Sequence, residues 1–64
     1  MLPNLTSYKF DVHTGYDDYD ASFASDSAAV LYGRMVAAQV VCVTIVRRSD
    51  GMVVAEWMNG IQYR

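Results

Sequence analysis

One stretch fixes most of what this chain can become. Ser25-Asp26-Ser27 opens a proline-free run to Val40, with alternating sequence before it and a β-branched run after it. Ser25 or Asp26 supplies a side-chain acceptor for the first free backbone N–H groups, so a helix is expected from Asp26 to about Gln39 or Val40. Before it, Tyr8, Phe10 and Val12 alternate with Ser7, Lys9 and Asp11, which predicts a half-buried strand over residues 5–12. His13-Thr14-Gly15 supplies a turn. Asp18 to Ala24 alternates again, with Tyr19, Ala21 and Phe23 inward, and completes an N-terminal hairpin. After the helix, the β-branched run Val41 to Arg47 predicts a third strand. Ser49-Asp50-Gly51 is a hairpin turn leading to a fourth, Met52 to Met58. Asn59-Gly60 ends that strand and leaves residues 61–64 as a short tail. The expected order is ββαββ in an α+β domain spanning residues 1–64. Its simplest form is a four-stranded antiparallel sheet with one helix on one face.

At 100° per residue the helix presents two apolar faces. Ala28, Leu31, Met35 and Ala38 cluster on one side. Ala29, Val30, Gly33, Val36, Ala37 and Val40 lie nearly opposite. Small residues at Ala29, Gly33 and Ala37 let another backbone approach closely, and Gly33 costs about 1 kcal/mol of helix stability relative to alanine. A contact between helices of two copies would offset that cost, so Ala29, Gly33, Val36, Ala37 and Val40 form the expected oligomer interface. The alternative seats this small face on the chain's own sheet and turns Leu31 and Met35 toward a partner. The outer sheet face, with Cys42, Thr44, Val46, Met52, Val54 and Met58, is a further candidate surface.

Size supports self-association. A chain of 64 residues buries only about 60% of the surface its unfolded form exposes. One cysteine, Cys42, excludes an internal disulfide, and one histidine with one cysteine falls short of a four-ligand zinc site. Hydrophobic residues make up 53% of the chain, above the usual ~45–50%. No metal or cofactor is expected, and a homo-oligomer is.

The formal net charge of −2 argues against broad electrostatic binding to nucleic acid. Residues 1–26 carry five acids and one base, whereas residues 27–64 carry four arginines against Asp50 and Glu56. The apolar run from Met35 to Val46, 12 residues long, is too short to span a bilayer. No basic, apolar secretory leader is evident at the N-terminus, so a cytoplasmic location is expected.

Catalysis is not expected. Cys42 lies in an apolar strand, where cysteines are usually inert packing groups, and His13 lies in a turn far away in sequence. Asp17, Asp18 and Asp20 lack the spacing and the turn glycine of a calcium loop, and solvated edge charges explain them adequately. Arg34, Arg47 and Arg48 suit phosphate or carboxylate, and Tyr16, Tyr19, Tyr32 and Trp57 offer rings for stacking. Together these seven residues form the candidate ligand site, suited to a nucleotide-like molecule held between subunits.

The stretch from Phe23 to Tyr32, followed by Val43 to Gly51, resembles a loose class of short phage and prophage proteins. The shared pattern is a strand ending at a capped, alanine-rich helix and then a two-stranded hairpin. The resemblance implies an accessory or anti-defence role, either sequestering a nucleotide signal or blocking a defence protein in the host cytoplasm. The first expectation is therefore a non-catalytic homo-oligomer that sequesters a nucleotide-like ligand. The second is a protein-binding inhibitor or adaptor that uses the sheet face or the acidic segment around Asp18 and Asp20.

Overall fold

A computed structural model describes residues 8–64, so the part of the first expected strand at residues 5–7 lies outside it. The elements are β1 (Phe10–His13), β2 (Ala21–Phe23), α1 (Asp26–Val36), β3 (Cys42–Arg47), β4 (Val53–Met58) and β5 (Ile61–Gln62). All neighbouring strands are antiparallel, in the spatial order β2-β1-β3-β4-β5. The α+β class with one helix on an antiparallel sheet stands.

The described residues form five strands, not four. Asn59 (φ 52) and Gly60 (φ 82) both adopt left-handed conformations. That is the backbone of the tight two-residue hairpin that matches strand twist. The chain therefore reverses after Met58, and Ile61 pairs with Met58 while Gln62 pairs with Trp57. The pairing continues past β5, since the Tyr63 amide donates to the Glu56 carbonyl at 3.0 Å.

Ser25 caps α1, its Oγ accepting the Ala28 amide at 3.3 Å, and Asp26 places a negative charge at the positive helix end. The helix stops at Val36, earlier than its composition suggests. Gln39 donates to Val36 at 2.8 Å, a tightened last turn, and the chain then enters the Val40-Val41 approach to β3. Because β2 and β3 both run antiparallel to β1, they are parallel to each other, and α1 crosses over β1 to join them.

The core lies between α1 and the sheet. It comprises Val12, Ala29, Val36, Ala37, Val40, Val43, Ile45, Ala55 and Trp57, with Phe10, Tyr19, Phe23 and Tyr32 packed around it. Here the expected oligomer interface is corrected. Ala29, Gly33, Val36, Ala37 and Val40 are buried against the chain's own sheet. A Cβ on Gly33 would lie 2.8 Å from Cζ3 of Trp57 and 3.1 Å from Cδ1 of Ile45. The missing side chain makes room for the Trp57 ring, not for a second helix. On the opposite helix face Leu31 and Met35 are both exposed.

Register shifts between Ile45 and Val46, where Ile45 pairs with Ala55 and Val46 with Val53. The extra residue, Val54, is a bulge in β4, a device that bends a strand and re-aims the side chains beside it. It sits next to the β3–β4 hairpin end of the sheet, where the polar side chains of the candidate site gather.

Candidate functional site

The β3–β4 turn builds itself around Asp50. The Gly51 amide donates to the Arg47 carbonyl at 2.8 Å, with Gly51 at φ 71. Oδ1 of Asp50 accepts the Met52 amide at 3.0 Å. The same carboxylate receives Nε of Arg47 at 3.1 Å and Nη2 at 2.6 Å, a two-pronged pair. That pairing lowers the Asp50 pKa and raises that of Arg47. Asp26, at the start of α1, adds a further favourable field at Arg47.

Arg48 repeats the arrangement across the sheet. Its Nε donates to Oδ2 of Asp11 at 2.8 Å and its Nη2 to Oδ1 at 2.7 Å. Ser22 on β2 donates its hydroxyl to the same Oδ1 at 2.6 Å. Nη1 of Arg48 reaches the Tyr8 carbonyl at 3.3 Å. The Arg48 guanidinium, helped by Ser22, holds the Asp11 carboxyl at about 2, well below the usual carboxylate range. Backbone bonds fix the strand partners: the Arg48 amide donates to the Lys9 carbonyl and the Lys9 amide to the Phe23 carbonyl, each at 2.9 Å.

The result is an open groove of about 560 Å³ lined by Tyr8, Lys9, Phe10, Arg47, Arg48 and Ser49. This falls within the ~300–1,000 Å³ typical of small-molecule sites. It lies at the end of the sheet, where alternation sets Lys9 and Arg48 on the outer face with Asp11, and Phe10 and Arg47 on the helix-covered face.

The seven expected ligand residues are thus divided. Arg47 and Arg48 line the groove. Arg34 is exposed in the last turn of α1 and does not line it. Trp57 is a core residue, 3% exposed beneath Gly33, and is removed from the ligand set. Tyr32 donates its hydroxyl to the Tyr19 carbonyl at 2.6 Å, and its ring meets Phe23 at 5.1 Å. Both Tyr19 and Tyr32 pack against the core, and Tyr16 stands exposed in the β1–β2 loop, away from the groove lining. The aromatic residues that line the groove are instead Tyr8 and Phe10, of which Phe10 also packs against the core. Sequence offered one pointer to them: Lys9 is the lone base of the first 26 residues, flanked by two aromatics. Placing it beside Arg48 requires knowing that β1 pairs with β3.

The acidic segment also resolves. Oδ1 of Asp20 accepts both the amide of Thr14 at 2.7 Å and its hydroxyl at 2.8 Å. Asp20 therefore closes the β1–β2 loop. His13 pairs with Thr44, two positions from Cys42 on the same sheet face. This brings the two closer than their sequence separation suggests. Diagonal positions of that kind lie ~7–8 Å apart, and no hydrogen bond joins the two side chains among the described residues. No group of three or more potential metal ligands occurs among the described residues, and no helix there is long and apolar enough to cross a membrane.

The outer sheet face carries an apolar strip. Register aligns Cys42 with Met58 and Met58 with Ile61, and Tyr63 follows on the same face, its hydroxyl donating to Glu56 at 2.7 Å. Met58, Ile61 and Tyr63 are exposed at 43%, 70% and 58%.

No family model, curated protein or solved structure matches this chain.

Proposed function

We propose that this chain is a small non-catalytic binding protein whose groove at the β3–β4 hairpin end holds a nucleotide-type ligand. One observation carries the reading: Lys9, Arg47 and Arg48, together with Tyr8 and Phe10, line one groove of about 560 Å³. Guanidinium and ammonium groups recognise phosphate, and flat side chains take a base or comparable ring. The two carboxylate pairs hold the arginines in place, so little side-chain entropy is lost when a ligand arrives. Sequestration of a signal in the manner of phage accessory proteins belongs to this proposal through the resemblance of residues 23–32 and 43–51 alone.

Backbone amide shifts of the isotope-labelled protein, followed by NMR while AMP is added, test the reading. Shifts confined to residues 8–10 and 47–49 support it. Shifts elsewhere, or none with any ring-bearing anion, overturn it.

A second reading rests on the outer sheet strip. Met58, Ile61 and Tyr63 form contiguous exposed apolar surface of the kind that protein partners cover. Self-association or capture of a host protein would use it, and Ile61→Lys should abolish either. An unchanged mass in solution and an unchanged set of co-purifying proteins would remove this surface from consideration.

A further inference from the structure

The two edges of the sheet differ in charge. A copy laid antiparallel along β2 about its central Ser22 would bring Asp18 toward the other copy's Asp26, with Asp20 close by. Like charges at an edge keep strands apart. β5 has no such guard. Ile61, Gln62 and Tyr63 are exposed and uncharged, and no strand lies beyond them among the described residues. We infer that β5 is a seam along which two copies of this chain pair antiparallel, about a two-fold axis at Gln62. The inference deepens the reading of the outer strip as a partner surface and rests on it.

Backbone orientation supplies the donors and acceptors. Glu56 turns both its N–H and its C=O toward β5, donating to the Arg64 carbonyl and accepting the Tyr63 amide, each at 3.0 Å. Gln62 is one step from Tyr63 and opposite Trp57. Alternation therefore turns the Gln62 N–H and C=O away from β4 and into solvent. A two-fold axis beside Gln62 brings each copy's outward donor to the other's outward acceptor, so one residue type makes both bonds.

Side chains fit the same axis. With Gln62 opposite Gln62, Ile61 of each copy lies opposite Tyr63 of the other. Both residues belong to the outer sheet face, at 70% and 58% exposure. The Tyr63 hydroxyl, tied to Glu56 at 2.7 Å, holds its ring over that face. Each cross-pair then sets an aliphatic side chain against an aromatic ring, a favourable combination between strands. Met58, paired with Ile61, continues the strip inward in each copy. Arg64 falls opposite Gly60, so no like charges meet. An unrelated peptide offers the same backbone bonds without this self-matching order, which is why the occupant is a second copy.

The seam is short. Tyr63 and Arg64 both bond to Glu56, which interrupts regular pairing beyond Tyr63 and leaves Ile61 to Tyr63 as the shared segment. A contact this small belongs below the ~1,200 Å² of stable complexes, so a dissociation constant on the order of 0.1 mM is expected.

Sedimentation of the full chain from about 0.02 to about 1 mM should show the mean mass rising from 7.2 kDa toward twice that value. About a fifth of the chains then stay monomeric at ~1 mM, so the Gln62 amide should exchange about fourfold more slowly there than at ~0.02 mM. In a mixture of labelled and unlabelled chains, isotope-filtered NOEs should join the Ile61 methyls of one copy to the Tyr63 ring of the other. Gln62→Pro removes the outward N–H and no bond to β4. It should leave a monomer with unchanged amide shifts in β1 and β3. A dimer that persists in Gln62→Pro but is lost in Ile61→Lys would overturn edge pairing and leave the outer strip as the contact. A parent chain that dimerises without Ile61–Tyr63 NOEs between copies would overturn it too, however the proline variant folds. A parent that stays at 7.2 kDa throughout would overturn both the inference and self-association through the strip, leaving only capture of another protein.

Discussion

Asp11 and Arg48, 37 positions apart in sequence, meet fork to fork, with contacts of 2.8 and 2.7 Å. The pair ties β1 to the β3–β4 turn, and Ser22 extends it to the β2 edge. It also makes stability depend on acid. The Asp11 pKa is about 2 in the folded chain, against ~3.9 when unfolded. A depressed carboxyl contributes stability above its unfolded pKa and loses that contribution as pH falls through the folded one. Allowing for solvent screening at the partly exposed Arg48, the contribution is about 1 kcal/mol. Asp11→Asn should melt below the parent at pH 7, and the gap should close between about pH 4 and 2. A gap that stays constant over that range would show that the carboxylate charge contributes nothing.

Gly33 is a second test, and its sign is informative. Alanine would gain about 1 kcal/mol in helix propensity. Its Cβ would also press on the Trp57 ring at 2.8 and 3.0 Å. The ring is buried and rigid, so the helix must lift, and overpacking of this kind costs about 1–3 kcal/mol. Gly33→Ala should therefore lower the melting temperature, by roughly 4–8 °C for each net kcal/mol lost. A rise would mean that the ring yields easily. Gly33→Leu should unfold the chain outright, without passing through a folded monomer released from an oligomer.

Two neighbouring acids should behave differently. Asp20→Ala leaves the Thr14 amide and hydroxyl without their carboxylate, and Thr14 is 5% exposed. A loss of about 1–3 kcal/mol is expected in chemical denaturation. Asp18→Ala, at an exposed position, should change stability by less than about 0.5 kcal/mol. Equal effects would show that Asp20 is a surface charge like its neighbour.

Gly51→Ala isolates backbone strain. Nothing lies within 4 Å of the added Cβ, yet φ is +71. The expected cost is about 1–2 kcal/mol with no change in the groove's amide shifts. A larger loss would require a clash that this backbone does not contain.

Much of this architecture is legible in the residues. The cap at Ser25, the alternation of Tyr8, Phe10 and Val12, and the Asp50-Gly51 turn each specify local geometry by themselves. Ala55 and Trp57 face the core as their period of two predicts, but the bulge breaks the alternation beyond them, and Val54, expected outward, packs against the core. Long-range facts are the ones sequence withholds. Nothing local states that β1 lies between β2 and β3, and that order alone brings Lys9 to Arg48. The helix was ambiguous for a similar reason. A stripe of small residues permits close approach but does not say what approaches, and here it is a tryptophan 24 positions later in the chain. The fifth strand was hidden by its brevity, although Asn59-Gly60 is the composition such a turn prefers.

Positions 33 and 57 divide a single volume between them, with nothing on the helix side and an indole on the sheet side. Their substitutions are therefore not independent. A lineage that acquired alanine at 33 would come under pressure to shrink the ring at 57, and one that lost the indole would be free to fill the helix. Among descendants of this chain, the two sites should drift as a pair of opposite sizes.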